Sequence, residues 1–305
     1  MTRQPVTQDC IRALVHAVCQ GGGEDVAFVH ERYGPIEDWD VSQVTDMSGL
    51  FVGQRVFRAD LSRWDTRRVT TMEGMFFEAR AFDADISRWD TRQVTNMRVM
   101  FYGAGSFNAP IGGWDTRRVT NMSEMFRDAI AFHQPLEGWN TGRVTDMSRM
   151  FDGAWNFNSP VGAWDVSRVT NMDSMFAFAA SFNQPLGEWD TRRVTNMSEM
   201  FRAAWAFNQP LGRWDVSRVT AMDCMFGFTH VFDQPLERWN VSHVTNMNGM
   251  FLRAARFNRP LARWDVSRVT RMTDMFHDAS CFRPRCGVRR NIEVDDDDDS
   301  TSRAG

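Results

Sequence analysis

"FNQPLGEWDTRRVTNMSEMF" occupies residues 182–201, and "FNQPLGRWDVSRVTAMDCMF" stands 25 residues later at 207–226. Tryptophan marks the same register ten times, from Trp39 to Trp264 at intervals of 25. Two phenylalanine columns, Phe51 to Phe276 and Phe57 to Phe282, keep the same interval. So do Val44 to Val269, Thr45 to Thr270 and Met47 to Met272; a further column begins with Leu50 and runs on as Met75 to Met275. A fixed period of 20–50 residues is the mark of a solenoid, propeller or array. Twenty-five residues are too few for a propeller blade and fit one turn of a leucine-rich-repeat-like coil. The absence of insertions has a physical reason: each side chain must stack on its equivalent one turn away.

Within the unit, Met197, Met200, Phe201 and Ala204 recur at i, i+3, i+4 and i+7, which predicts a short helix of about two turns. Thr195 precedes it as an N-cap, and Ser, Asp or Glu at the third position gives a partial capping box. So short a helix is unstable alone and must lean on its neighbours. On the other side of the turn, "FNQPL" with its proline column (Pro110 to Pro260) predicts an extended segment, a short and imperfect parallel strand, because proline lacks a ladder donor. The Asp/Asn column after Trp (Asp40 to Asp265) is read as a corner-holding ladder, in preference to a calcium site, since the glycine-rich calcium signature is absent. The fold class expected is therefore an α/β repeat solenoid of ten turns.

The ends differ from the repeat. Residues 7–20 place Ile11, Leu14, Val15 and Val18 on one helical face, and "GGG" at 21–23 ends that helix. Residues 1–33 are expected to form an N-terminal helical cap, residues 34–288 the ten-repeat solenoid, and residues 289–305, with Asp295 to Asp299, an acidic disordered tail. Three of the 35 basic and six of the 39 acidic residues lie in that tail, so the body is nearly neutral. The N-terminus has no apolar h-region and no stretch is long enough to span a membrane, which leads to an intracellular expectation with reduced cysteines. Cys281, Cys286 and His277 could supply zinc ligands, but the cysteines form no CxxC pair and are read as reduced thiols; no cofactor or metal is expected.

The segment "WDVSRVTNMDSMFAFAASFNQPLGEWD", residues 164–190, resembles the mycoplasma-type surface-protein repeat of unknown function, within the BspA-like branch of leucine-rich-repeat proteins. The resemblance covers about residues 34–288. It implies a right-handed leucine-rich-repeat-like coil and, in bacterial members, surface adhesion; it brings no catalytic motif.

No Ser/His/Asp or Cys/His grouping, phosphate loop or HExxH motif is present, and an enzyme is not expected. Function should lie where the repeats disagree. Between Trp and the Val-Thr pair, Arg67, Arg68, Arg117, Arg118, Arg143, Arg168, Arg192, Arg193 and Arg218 are expected to form a stripe, either a solvated corner or a docking strip for an anionic partner. After the predicted helix, Trp155, Phe178, Trp205 and Phe228 break a small-residue consensus, either to fill gaps or to anchor a partner. The leading expectation is a non-enzymatic, monomeric protein–protein interaction scaffold with an unidentified protein partner. The alternatives are a binder of anionic polymers, glycan or nucleic acid, and a BspA-like surface adhesin.

Overall fold

The computed structural model describes residues 4–283. From Trp39 onward the chain runs through successive 25-residue coils, each set against the next. A single parallel bridge joins each coil to its neighbour, from Asp46 with Thr71 through to Asn246 with Arg271. Below that bridge column lies the core. The tryptophans from Trp39 to Trp264 are buried, as are the first phenylalanine column from Phe51 to Phe251 and the second from Phe82 to Phe257. Both methionine columns are buried from Met72 to Met250. Met272, Phe276 and Phe282, in the final described coil, are only partly covered.

Apolar burial supplies the drive, and aromatic geometry supplies the register. Phe201 lies parallel to Phe207 of its own coil at 3.9 Å between ring centroids, and offset against Phe176 and Phe226 of the flanking coils at 5.8 Å each. Trp214 and Trp239 stack at 6.4 Å with planes 1° apart. Each indole N–H also crosses to the preceding coil. From Trp64 to Trp264, Nε1 donates to the carbonyl 28 residues upstream at 2.8–3.2 Å.

The helix expected over residues 195–204 does not form. The inward stripe of Met197, Met200, Phe201 and Ala204 is correct, but the backbone bonds run elsewhere. The N–H groups of Met197, Glu199, Phe201 and Ala203 donate to Ala221, Asp223, Met225 and Gly227 of the next coil. Those of Met200, Arg202 and Ala204 close four-residue turns within their own coil, each donating to the carbonyl three residues back. Every one of these donors is paired, so the segment has no need of helical bonds. Two positions per coil, four residues apart, take positive φ, among them Glu199 at 56° and Ala203 at 53°. Left-handed residues at that spacing are incompatible with an α-helix. The visible signal was glycine in those two columns, at Gly49, Gly53, Gly74, Gly103, Gly153 and Gly249.

Two further expectations change with it, and a third holds. Thr195 caps no helix: its N–H and its hydroxyl both donate to the Thr170 carbonyl, and the same pair of hydrogen bonds recurs from Thr70 to Thr270 except at Thr145, where only the N–H bond is made. The "FNQPL" side carries no strand among the described residues. Proline removes a backbone donor there, and the parallel contacts lie instead at the Asp46–Arg271 column. On the proline side, side chains bridge the coils: Asn183 Oδ1 accepts from the Asn208 N–H, and Asn208 Oδ1 from the Asp233 N–H, both at 3.0 Å. The corner role of the Asp/Asn column holds, with Asp215 Oδ1 accepting the Ser217 N–H at 2.9 Å.

At the N-terminal end, helix α1 spans Ile11–Gln20 and a second helix, α2, spans Gly23–Tyr33; a 3-10 turn follows at Ile36–Asp38. "GGG" was expected only to end the first helix, yet Gly23 opens the second, where Gly22 N–H bonds Asp25 Oδ2. This end serves the otherwise open backbone edge of the first coil. Gln8 Oε1 accepts from the N–H groups of Thr45 and Asp46, and Gln8 Nε2 donates to the Asp46 carbonyl. The acidic tail expected at residues 289–305 lies outside the described residues, as does Cys286.

Val99 is a β-branched residue held at a φ of 49°, where such side chains are strained. Val99→Gly should therefore raise unfolding stability by about 1 kcal/mol, measured by urea denaturation. A loss of stability would show that Val99 packing outweighs its backbone strain.

Candidate functional site: the variable faces of the stack

The expected arginine stripe divides into two columns with different chemistry. In the first, each guanidinium folds back on the aspartate two residues earlier. Arg117 Nη2 reaches Asp115 Oδ2 at 2.6 Å, and Arg67 and Arg192 pair in the same way with Asp65 and Asp190. The side-chain hydrogen bond from arginine, ahead of the backbone bond and charge attraction, holds the Asp115 and Asp190 carboxyls below the ordinary range.

In the second column Arg68 and Arg118 donate to Gln43 and Gln93 of the preceding coils. Arg143, Arg168, Arg193 and Arg218 are exposed and make no hydrogen bond or ion pair among the described residues. With Arg118 they place one exposed guanidinium on each of five successive coils.

The aromatic set is brought together, but on a non-helical segment and in two neighbouring columns. Trp155 and Trp205 share one column, two coils apart, with Ala180 between them. That small residue leaves a gap, and the two indoles meet across it edge to face at 5.6 Å. Phe178 and Phe228 share the other column, and the Arg202 guanidinium lies over both rings, at 5.4 and 5.8 Å. Trp155 is 47% exposed, Trp205 46% and Phe178 40%, so these rings do not fill the core as gap-fillers would. Phe228 is half-buried. Ile130, at the Trp155 position one coil earlier, is also exposed.

Alongside runs a charge ladder that the repeat columns did not single out. Arg98 bridges Glu73 at 3.1 Å and Glu124 at 3.4 Å, Glu124 binds Arg127 at 3.1 Å, and Arg127 Nε approaches Asp152 at 3.2 Å. Arg149 pairs with Asp173 at 3.1 Å and Arg202 with Glu199 at 2.8 Å. Tyr102 stacks on Phe77 at 4.6 Å and receives the Arg127 guanidinium at 5.2 Å. These residues vary from coil to coil, and the variation was their only sequence signal.

Asp152 is the most perturbed acid of the ladder. Burial pushes its carboxyl up to about 6, against the pull of Arg127 and with added repulsion from Asp128. The attraction is incomplete because Arg127 Nε, close as it is, makes no aligned hydrogen bond. Burial likewise raises Asp128 and Asp173. Among the described residues no group of three or more His, Cys, Asp or Glu side chains is arranged to hold a metal ion, and no helix is long and apolar enough to cross a membrane.

Stacked coils with a repeated aromatic core define a tandem-repeat protein. The family model described as "Mycoplasma protein of unknown function, DUF285" matches residues 25–139, 120–234 and 202–293, and the chain belongs to this family. No curated protein matches the chain. Among solved structures, the crystal structure of a TLR13–ssRNA13 complex aligns at 7% identity and a TM-score of 0.21, covering 79% of this chain and 48% of that one. At that score the alignment carries no argument about fold or function.

Between pH 3.8 and about 6 the folded Asp152 retains a proton that an unfolded aspartate has released. The folded state thus binds more protons in this window, and its stability falls as pH rises through it. Asp152→Asn should remove that decline, so that urea unfolding of wild type and variant diverges between pH 4 and about 6.5. Parallel profiles would mean that the carboxyl is not destabilised by burial.

Proposed function

We propose that this protein is a non-enzymatic protein–protein interaction scaffold, a monomer acting inside the cell. In this reading the coils form a right-handed, leucine-rich-repeat-like solenoid of the BspA-like type, and residues 1–33 cap its first turn. Gln8 supports the cap, because it occupies the backbone groups that a preceding coil would otherwise bond.

The observation that carries the functional reading is the exposed aromatic ridge of Trp155, Phe178 and Trp205. Large aromatic side chains left in water on a rigid stack resemble the anchors that dominate protein interfaces. The neighbouring ladder of ion pairs supplies a polar border that differs at every coil, which suits recognition of one partner over others.

A second reading has its own observation. Arg143, Arg168, Arg193 and Arg218, spaced one coil apart and in no ion pair among the described residues, suit weak, salt-sensitive binding of an anionic polymer. It concerns a different edge of the stack and leaves the aromatic ridge unexplained.

The two readings separate by substitution. Partners recovered by affinity purification from the source cells should be lost with Trp155→Ser/Trp205→Ser, a weakening of at least about thirtyfold for a hot-spot pair. They should persist with Arg143→Ala/Arg168→Ala/Arg193→Ala/Arg218→Ala. Retention on heparin that disappears only in the arginine variant, with no partner lost in the tryptophan variant, would instead favour the anionic polymer.

A further inference from the structure

Along one edge of the stack the backbone bonds all point the same way. The N–H groups of Met247, Gly249, Phe251 and Arg253 donate to the carbonyls of Arg271, Thr273, Met275 and His277, and the same four bonds recur at each earlier coil from Met47 onward. In the final described coil the corresponding residues are Met272, Asp274, Phe276 and Asp278. None of their four N–H groups has an acceptor among the described residues. A row of open peptide donors calls for carbonyl or carboxylate oxygen. At the opposite end the chain fills its own edge, through Gln8 and through Arg12, which donates to the Ser48 carbonyl.

The open end is also basic. From Arg253 to Arg283 the chain carries seven arginines, three aspartates and no glutamate or lysine. Arg253 pairs with Asp278, and Arg259 with Asp233. Arg256, Arg263, Arg268, Arg271 and Arg283 are exposed and in no ion pair among the described residues. Arg271 lies on the edge itself, at the bridge with Asn246, where every earlier coil has a neutral or acidic residue.

Beyond the described residues the sequence continues the period with its charges reversed. The Asp/Asn column from Asp40 to Asp265 continues as Arg290, and the column of Arg, Gln and His from Gln43 to Arg268 continues as Glu293. Asp296 follows Arg271 by 25 residues, and Arg303 follows Asp278. Of the aspartates and arginines between Trp264 and Ala279, Asp274 alone meets its like, Asp299. Earlier steps repeat the charge instead: Asp190 precedes Asp215, and Arg193 precedes Arg218. Val294 keeps the valine column.

We propose that residues 290–303 close the open end of the stack, laid on the donor edge in the same 25-residue register. The carbonyls of Asp296, Asp298, Ser300 and Ser302 accept from Met272, Asp274, Phe276 and Asp278. Glu293 and Asp296 face Arg268 and Arg271, and Arg290 faces Asp265. Asp278 already holds Arg253, so Arg303 adds least, and Asp299 beside Asp274 opposes the contact. Asp297, Ser300 and Thr301 stand at the Met and Phe columns, so hydrogen bonds and charge hold the segment in place of an apolar layer. A second copy fits the edge poorly. Its own open edge would set donors against donors, and Gln8 and Arg12 occupy its other end. Closure in this way replaces the disordered tail that composition predicts, and removes an edge on which another chain could pair. It goes beyond the scaffold reading and does not depend on it.

Hydrogen exchange of the full chain, read by mass spectrometry on fragments within residues 268–283, tests the assignment. Wild type is compared with Glu293→Arg/Asp296→Arg, with Arg268→Glu/Arg271→Glu, and with the two combined. In wild type the amides of Met272, Asp274, Phe276 and Asp278 should exchange slowly. Either reversal alone should speed their exchange about tenfold or more. The combined variant should restore most of the protection, because the charges are then swapped between the same positions. Salt at about 0.5 M should speed exchange in wild type. Unchanged exchange over residues 100–250 establishes that the variants fold.

Wild-type amides that exchange as fast as an unstructured chain overturn the proposal. Protection that survives Glu293→Arg/Asp296→Arg overturns the segment as occupant. A loss in both reversals that the combined variant fails to restore overturns the register. Protection that rises with protein concentration, together with a dimer in sedimentation, overturns the proposal in favour of a second copy.

Discussion

The indole N–H of each core tryptophan from Trp64 to Trp264 donates to a carbonyl 28 residues upstream, and the rest of the stack depends on that reach. A buried indole must place its single donor, and a buried carbonyl must find a partner. When Trp189 bonds the Val161 carbonyl, both needs are met, and the coil is fixed against its neighbour in position and in register. The ring stacks then follow, because Phe201 can meet Phe176 and Phe226 only if each coil returns after the same number of residues. The threonine and asparagine side chains bond across the same step. A period of 25 without insertions is the sequence form of this constraint, and an extra residue in any coil would strand donors on both of its neighbours.

The columns were legible because they repeat. Trp, Phe and Met positions announce their burial by invariance within the chain, and the aspartate corner follows from short-range hydrogen bonding that any Asx turn allows. The local conformation was harder to read. Met197, Met200, Phe201 and Ala204 satisfy a helical pattern, yet the same inward set is met by a segment that alternates turn bonds with bonds to the next coil. Periodicity reports which side chains face inward, and it does not report where the backbone N–H groups go. The scattered glycines of the two left-handed columns carried that information. They were easily missed because Glu, Asp, Phe and even Val99 occupy the same columns in other coils.

The surface divides in a comparable way. That the arginines would lie exposed along one edge follows from the period, but their pairing does not. Arg117 is neutralised by its own aspartate while Arg218 has no such partner, and the difference depends on side-chain reach. The grouping of Trp155 with Trp205 required knowing that residues two coils apart can touch across a small one. The ladder from Glu73 to Asp173 was invisible as a motif, since each member belongs to a different coil. Variable positions become a continuous surface only when the coils stack, and this gives a repetitive core a specific exterior.

Register, set by the tryptophan bond and the stacked rings, holds the molecule together. Excising residues 190–214 removes one whole period and joins Trp189 to Asp215 in the native phase. Excising residues 190–213 removes one residue fewer and breaks the phase. Near-ultraviolet circular dichroism melts of the two proteins compare them directly. The full-period deletion should keep a cooperative melt with a native-like tryptophan signal, and the out-of-phase deletion should lose both. Similar melts for the two proteins would contradict it.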